Sequence, residues 1–492
     1  MVVRQEMFLA LTISPFKRKE LMMLDYVLRI RDLVHGTILF TKEEVALINH
    51  PFFQRLRQIR QNDVAFFVYP SLNTSRFEHT LGVCRVAGMM AETLVKSPKW
   101  KNYSRELRRE TGIGSKEDFI RLCRFYALLH DIGHFPLSHL FEYAMKSWAH
   151  DYAETIREWT TFQGFEKLHE AFGALVAQKI ASDIKLTGKV KDALLRLMKE
   201  KTLPYTNPLS VVKSVIDAEI DADRIDFVQR DGLAAGGEYG HYDIRRLCDS
   251  VFIEQRENDW IIAYSEKALT SMEAVLLDRY RTYAWIHFHH KVIAMKMLVR
   301  FLIVKALELK IVTKEQFDIH RVESLALKDD VWLWNVLRNI DDGNKITRMV
   351  QGAVFYRKKA NTVNLWKTRP EYHELQHRVM EKTQKTEEKF DKKDSYSHHL
   401  SSKIKAEALV FEVPFEPIGE KAIYLYSEAQ GKPTGRHLLE VSRITSSLET
   451  IWKDETQYYV LLVGKNVGNR KPDTLEKWVD ATTEYVLNPT LW

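Results

Sequence analysis

The chain has 492 residues, 45% of them hydrophobic, which is enough to bury a full core and longer than one average domain. Its 73 basic and 66 acidic residues leave a net charge of +7, a mild excess without the clustered stripe of an obligate nucleic-acid binder, though one that suits anionic ligands. The cysteines, Cys84, Cys123 and Cys248, are odd in number and widely spaced. They exclude a readable disulfide framework or paired-cysteine zinc site and point to a reducing, cytoplasmic setting.

An apolar run from Met7 to Ile13 lacks a small-residue cleavage pattern, and no later segment reaches the roughly 18 apolar residues that span a bilayer, so neither export nor a membrane span is expected. Apolar positions recur at helical spacing over Phe40 to Ile59, Thr80 to Val95, Asp118 to Leu129, His169 to Ile184 and Ser271 to Val304. In that stretch the only strand-like alternation read is Val251 to Tyr264, interrupted by Glu254 to Asp259, which predicts a small hairpin. From about Arg369 to Lys405 the composition turns charged, as an exposed helix or a mobile connection would. Beyond it "ALVFEVPF", "KAIYLYS" and "YYVLLVG" read as strands and Asp473 to Val486 as a helix. The reading is a mostly α domain over residues 1–375, a charged helix or linker over 376–405, and a small α+β appendage over 406–492.

The segment "YALLHDIGHFPLSHLFE", Tyr126 to Glu142, carries the densest chemistry. An apolar helix ends by presenting His130 and Asp131 side by side, with His134 and His139 following. Neutral imidazole and carboxylate together suit a borderline divalent metal, and adjacent residues at a helix end can reach one ion. More ligands are needed. "SRFEHTLGV" places His79 at the start of an apolar helix, and "EIDADRIDFVQRD" carries Asp221, Asp223, Asp226 and Asp231. Four acids so close repel unless solvated, paired with Arg224 or Arg230, or bound to a cation. Each piece alone has a plain structural reading, His35 and His287 above all.

Taken in order, "RDLVHG", "HPFFQRLRQIRQ", "SRFEHTLGVCRVAG", "LLHDIGHFPLSHLFE", "LHE", "DADRIDFVQRD" and "HHKV" resemble the HD-domain deoxynucleoside triphosphate triphosphohydrolases, from about Ile30 to Arg300. The resemblance implies an α-helical HD core and hydrolysis of a dNTP, by attack at the α-phosphorus, to deoxynucleoside and inorganic tripolyphosphate. It implies metal ligands His79, His130, Asp131 and Asp223, with manganese, iron, magnesium or a similar divalent ion. His134 matches the proton donor to the leaving 5′-oxygen, Glu142 the acid that orients that imidazole, and His139 and His169 histidines of the phosphate end. Arg76 and Arg224 are fixed cations suited to triphosphate oxygens. Gln61 and Asp231 match groups that bind a 3′-hydroxyl, and Phe288 a residue packing on the sugar.

Departures from the family pattern bear on selectivity. Phe227 and Phe288 stand where relatives often carry tyrosine, Ala284 where some carry histidine, and His289 where glutamine is frequent. Relatives with a guanine-reading activator site have an aspartate where this chain has Asn49, while Gln54 and Arg57 are kept. Asparagine offers donor and acceptor, so another base could be read there. A homo-oligomer is expected because relatives bind activators between subunits, and weak single-strand nucleic-acid binding is compatible with the basic runs. Two alternatives stand beside this reading: an HD phosphohydrolase of nucleoside monophosphates, cyclic dinucleotides or alarmones, and a non-catalytic nucleic-acid-binding HD protein. Nucleotide-pool control and depletion of nucleotides against phage would use the same residues.

Overall fold

A computed structural model describes residues 24–200 and 202–356 and, beyond these, 362–364, 369–383, 393–404, 406–413, 423–429, 432–453, 457–463 and 471–487. The run Met7 to Ile13 lies outside the described residues. Among the described residues the architecture is mostly α, with three small sheets. Among the described residues no helix is long and apolar enough to cross a membrane.

The centre of the fold is the helix Arg76–Leu94. Ser75 caps it: Glu78 N donates to Ser75 Oγ, and Ser75 N donates to the Glu78 carboxylate, so the "SRFE" run closes a capping box and puts His79 in the first turn. The helix packs against Lys116–Leu129 and Ala222–Ala234 through the buried residues Leu81, Val83, Val86, Phe125, Leu128, Ile225 and Val228. Gly82 permits the closest approach, since a Cβ there would lie 1.9 Å from Asp226 Oδ1.

Sequence reading missed one hairpin. Strands β1 (Tyr26–Asp32) and β2 (Gly36–Thr41) pair antiparallel ahead of the first helix. β1 alternates half-buried and exposed residues without a fully buried one, so its period-2 signal is weak in apolar contrast. The helical pattern of Phe40 to Ile59 is broken into Lys42–Ile48, Pro51–Arg55 and a 3-10 turn, with His50 capping and Pro51 opening the second helix. That of Ser271 to Val304 divides into Leu269–Arg281, a π-helical turn Thr282–His287, and His290–Glu308, which His289 caps.

The expected hairpin forms as β3 (Val251–Arg256) and β4 (Asp259–Ser265). Strand β5 is Thr362–Asn364 and β6 is Glu407–Val413; β7 (Tyr424–Ser427) pairs parallel with β4 and antiparallel with β8 (Lys432–His437). The C-terminal strands therefore extend a sheet begun in the helical region. β9 (Gln457–Val463) lies between β5 and β6. The charged stretch near 369–405 contains two helices, Arg369–Thr383 and Lys393–Ile404, that pack against Lys471–Leu487. Arg378 pairs with Glu476, Lys382 with Asp480 and Lys403 with Glu484.

The loop after Lys116–Leu129 is held from outside. Arg55 donates to the carbonyls of His134 (2.6 Å), Ile132 (3.3 Å) and Lys328 (3.0 Å). Buried Asp330 accepts from Leu137 N at 2.7 Å and Arg60 N at 3.0 Å. Leu137 and Ser138 both have positive φ, 57° and 53°, a strain that such surroundings over-determine.

Candidate metal centre

Three helices bring four ligand-type side chains to one point. His79 sits in the first turn of Arg76–Leu94, His130 and Asp131 follow the end of Lys116–Leu129, and Asp223 lies in the first turn of Ala222–Ala234. Asp221 caps that last helix by accepting from Arg224 N at 2.7 Å. His79 Nε2 is 2.9 Å from Asp223 Oδ1 and 3.6 Å from Asp131 Oδ2. His130 Nε2 is 3.5 Å from Asp131 Oδ1 and 3.8 Å from Asp223 Oδ1. Ligand atoms of His79, His130 and Asp131 all lie within 4.8 Å of one another.

Both Nε2 atoms are buried and neither makes a hydrogen bond, the 2.9 Å approach to Asp223 included. Each ring is instead fixed through its other nitrogen: His130 Nδ1 is 2.7 Å from Ala127 O, and His79 Nδ1 is 2.8 Å from Asp226 Oδ2. A proton on each Nδ1 leaves Nε2 bare, the tautomer a metal-binding histidine needs. Two imidazole nitrogens with carboxylate oxygens fit a borderline divalent cation.

The electrostatics agree. Burial disfavours a charged His79, yet Asp223 and Asp226 push it up to about 10. The carboxylates around His79 thus favour positive charge at this point. Burial also disfavours ionised Asp131 and Asp223, but Arg76 and His130 hold Asp131, and His130 and His79 hold Asp223, well below the usual carboxylate range.

Beside this cluster, His134, His139 and His169 bring donor atoms within 4.8 Å of one another. The His134 and His169 rings stack, with centroids 4.1 Å apart and planes at 16°. Parallel rings send their in-plane lone pairs past one another, so this trio suits phosphate oxygens and protons better than a second ion. Burial, with Arg76 and His169 nearby, holds His134 well below the ordinary imidazole value and therefore neutral. Its Nε2 lies 3.2 Å from Asp131 Oδ1 and its Nδ1 has no partner.

The expected pairing of Glu142 with His134 is not what the fold makes. Glu142 Oε2 accepts from His169 Nδ1 at 2.5 Å, while Oε1 accepts from Tyr152 Oη at 2.5 Å and Leu168 N at 2.6 Å. Glu142, in the first turn of His139–Trp148, faces the start of Leu168–Asp183, so the ring it orients is His169.

Arg76 is buried, donates to Ser138 Oγ at 2.8 Å and pairs with Asp131. Arg224 is bound to Asp221 Oδ2 at 2.5 Å. Gln61 Oε1 and Asp231 Oδ2 are buried without a partner, and Asp231 Oδ1 accepts from Asn62 Nδ2 at 2.7 Å. Phe288 packs by Tyr283, ring centroids 5.7 Å apart. Asn49 and Arg57 are exposed; Arg57 Nε donates to Gln54 Oε1 at 2.7 Å and its guanidinium lies 3.6 Å over the Phe77 ring. Sequence reasoning gave no role to Asp226, which bonds His79, to His35, which bonds Asp226, or to Tyr152, which bonds the Glu142 carboxylate that holds His169. The signal for the first two was their place inside quoted motifs, "DADRID" and "RDLVHG".

Residues 76–228 match the family model of the HD domain. This segment is an HD domain. Every ligand-type residue of the cluster falls inside it. The chain is 27% identical over 309 residues to an uncharacterized protein of Methanocaldococcus jannaschii, covering 63% of this chain and 54% of that one. It is 27% identical over 279 residues to the deoxynucleoside triphosphate triphosphohydrolase SAMHD1 of Gallus gallus, covering 53% and 42%. The match thus spans about half the length of these curated relatives. A hypothetical protein of Aquifex aeolicus has a similar solved fold, with TM-score 0.62 and 22% identity over 91% of this chain and 99% of that chain.

Proposed function

We propose that this protein is a metal-dependent phosphohydrolase of deoxynucleoside triphosphates, releasing deoxynucleoside and inorganic tripolyphosphate. The observation that carries the metal-dependent part is the pair of buried, unpartnered Nε2 atoms of His79 and His130 facing the carboxylates of Asp131 and Asp223. A divalent ion such as manganese, iron or magnesium, when bound, lowers the pKa of a coordinated water and neutralises charge on phosphoryl oxygens.

The chain's own residues supply the rest. Arg76 and the His134, His139 and His169 trio form a cationic and hydrogen-bonding end for a polyphosphate, next to the ligands. His134 is neutral beside Arg76; an incoming polyanion offsets that cation, letting the ring take up the proton it delivers to the leaving 5′-oxygen. Glu142 acts one ring away, fixing His169 against His134. Gln61 Oε1 is an acceptor and the Asp231 carboxyl a hydrogen-bonding group for a 3′-hydroxyl, and Phe288 packs at the sugar. The name borne by the Gallus gallus relative supports the substrate class. In the same reading, Asn49, Gln54 and Arg57 belong to a nucleotide activator site between subunits of a homo-oligomer.

The test is incubation of purified protein with Mn²⁺ or Mg²⁺ and each dNTP, singly and in pairs, with products resolved by anion-exchange chromatography. Deoxynucleoside with intact tripolyphosphate is expected; His130→Ala and Asp131→Ala abolish it, and His134→Ala keeps the metal but loses most turnover. Cleavage of monophosphates or cyclic dinucleotides alone, or full activity in any of these variants, refutes the reading.

A further inference from the structure

The "RDLVHG" motif lies outside the matched HD segment. It forms the β1–β2 turn. Asp32 Oδ1 accepts from Val34 N at 2.9 Å and His35 N at 2.8 Å, and Gly36 takes a positive φ of 70°, so the turn is closed by its own side chain. The turn does not end at the surface. His35 Nε2 reaches Asp226 Oδ1 at 2.6 Å, across 191 residues of sequence, and Asp32 Oδ2 accepts from Arg230 Nη1 at 2.9 Å.

Asp226 is completely buried and is satisfied on all sides. Arg230 grips it with two bonds of 2.9 Å, His35 takes Oδ1, and the remaining direction of Oδ2 is given to His79 Nδ1 at 2.8 Å. The side chains of His35, Asp226, Arg230 and His79 are 4%, 0%, 1% and 0% exposed, so water cannot replace a lost donor. With both carboxylate oxygens pinned, the carboxylate plane is fixed, and with it the rotation of the His79 ring about its Cβ. That rotation decides whether Nε2 points at Asp131 and Asp223.

We propose that the Asp32–His35 turn is a positioning element for the metal ligand His79: His35, with Asp32 acting through Arg230, locks Asp226 in the orientation that aims His79 Nε2 at the cation. This inference rests on the metal reading of the site. It assigns the hairpin to the function of the HD domain, although the family match begins 41 residues after His35, at Arg76.

The experiment titrates Mn²⁺ alone into metal-free full-length protein by calorimetry, with thermal unfolding of the metal-free forms alongside. His35→Leu keeps bulk and removes the donor; His35→Gln restores an N–H near the Nε2 position; Asp32→Asn faces Arg230 with an amide and serves if His35→Leu does not fold. Leu33→Ala, exposed in the same turn, is the control. His35→Leu is expected to weaken Mn²⁺ binding about 10- to 100-fold, the range for outer-shell partners of metal ligands, with Asp32→Asn also weaker. His35→Gln should return to within a few-fold of the parent and Leu33→Ala should match it. Unchanged affinity in both His35→Leu and Asp32→Asn overturns the positioning role. Equal loss in His35→Leu and His35→Gln overturns the hydrogen-bond mechanism in favour of simple packing. If His79→Ala binds Mn²⁺ like the parent, the metal reading itself fails; if it does not, only the inference is at stake.

Discussion

Asp231 gives a sharp handle on the interior of the site. It is 1% exposed, burial pushes its carboxyl up to about 7, and the one hydrogen bond from Asn62 only partly offsets that. In the unfolded chain an aspartate titrates near ~3.9, so the folded protein keeps a proton that the unfolded chain has released. With the folded pKa raised, the stabilising difference is fully present below ~3.9 and is lost as pH rises through about 7. The span from ~3.9 to about 7 corresponds to roughly 4 kcal/mol in all, of which about 2–3 kcal/mol falls between about pH 5 and about pH 8. Asp231→Asn removes the titration while leaving an acceptor for Asn62. Urea unfolding of metal-free parent and variant across that pH range should therefore show the variant gaining on the parent by about 2–3 kcal/mol from acid to alkaline. A difference that stays flat with pH would refute the argument that Asp231 is a buried, under-satisfied acid. In turnover assays the same variant should raise KM for a dNTP more than it lowers kcat, if the carboxyl holds the 3′-hydroxyl.

Three further perturbations test the packing and the metal site. Glu44→Ala strands buried Arg124, which donates to both Glu44 oxygens at 2.5 and 2.9 Å, and should cost about 3–5 kcal/mol in chemical denaturation. Gly82→Ala drives a methyl into Asp226 and should cost about 1–3 kcal/mol and weaken Mn²⁺ binding in calorimetry. Stripping the metal with a chelator should lower the Tm. Adding Mn²⁺ at about 100 times its Kd should restore roughly 2.7 kcal/mol, and His130→Ala should show no such gain.

What was legible in the chain, and what was not, divides along a physical line. The helices that carry His79 and His130 were readable because their apolar positions recur at helical spacing, whereas the charge-rich Ala222–Ala234 helix that carries Asp223 gave no such periodic segment. The choice of Asp223 among its neighbouring acids came from the family resemblance alone, while histidine and aspartate were readable as candidate ligand types because divalent chemistry restricts the choice of side chain. The partners of the site histidines were not, since a partner is a fact about distant backbone. Glu142 sits eight residues from His134, but the Leu168–Asp183 helix brings His169 to it instead, and no local pattern reports that choice. Asp226 looked like one acid among four; its neighbours His79 and His35 are 147 and 191 residues away.

The same line explains why β1 and β2 were passed over and why they matter. A two-stranded ribbon with no fully buried residue in its first strand has little apolar contrast and is marginal alone. Here its turn is bonded to a buried carboxylate and a buried guanidinium of Ala222–Ala234, which anchors the ribbon and lets a weakly marked segment be specific. The anchoring works in both directions. If Asp226 needs His35 to stay aligned, a disturbance on the exposed side of the ribbon, where Val27 and Leu33 lie, has only Asp32, His35, Arg230 and Asp226 to cross before it reaches His79.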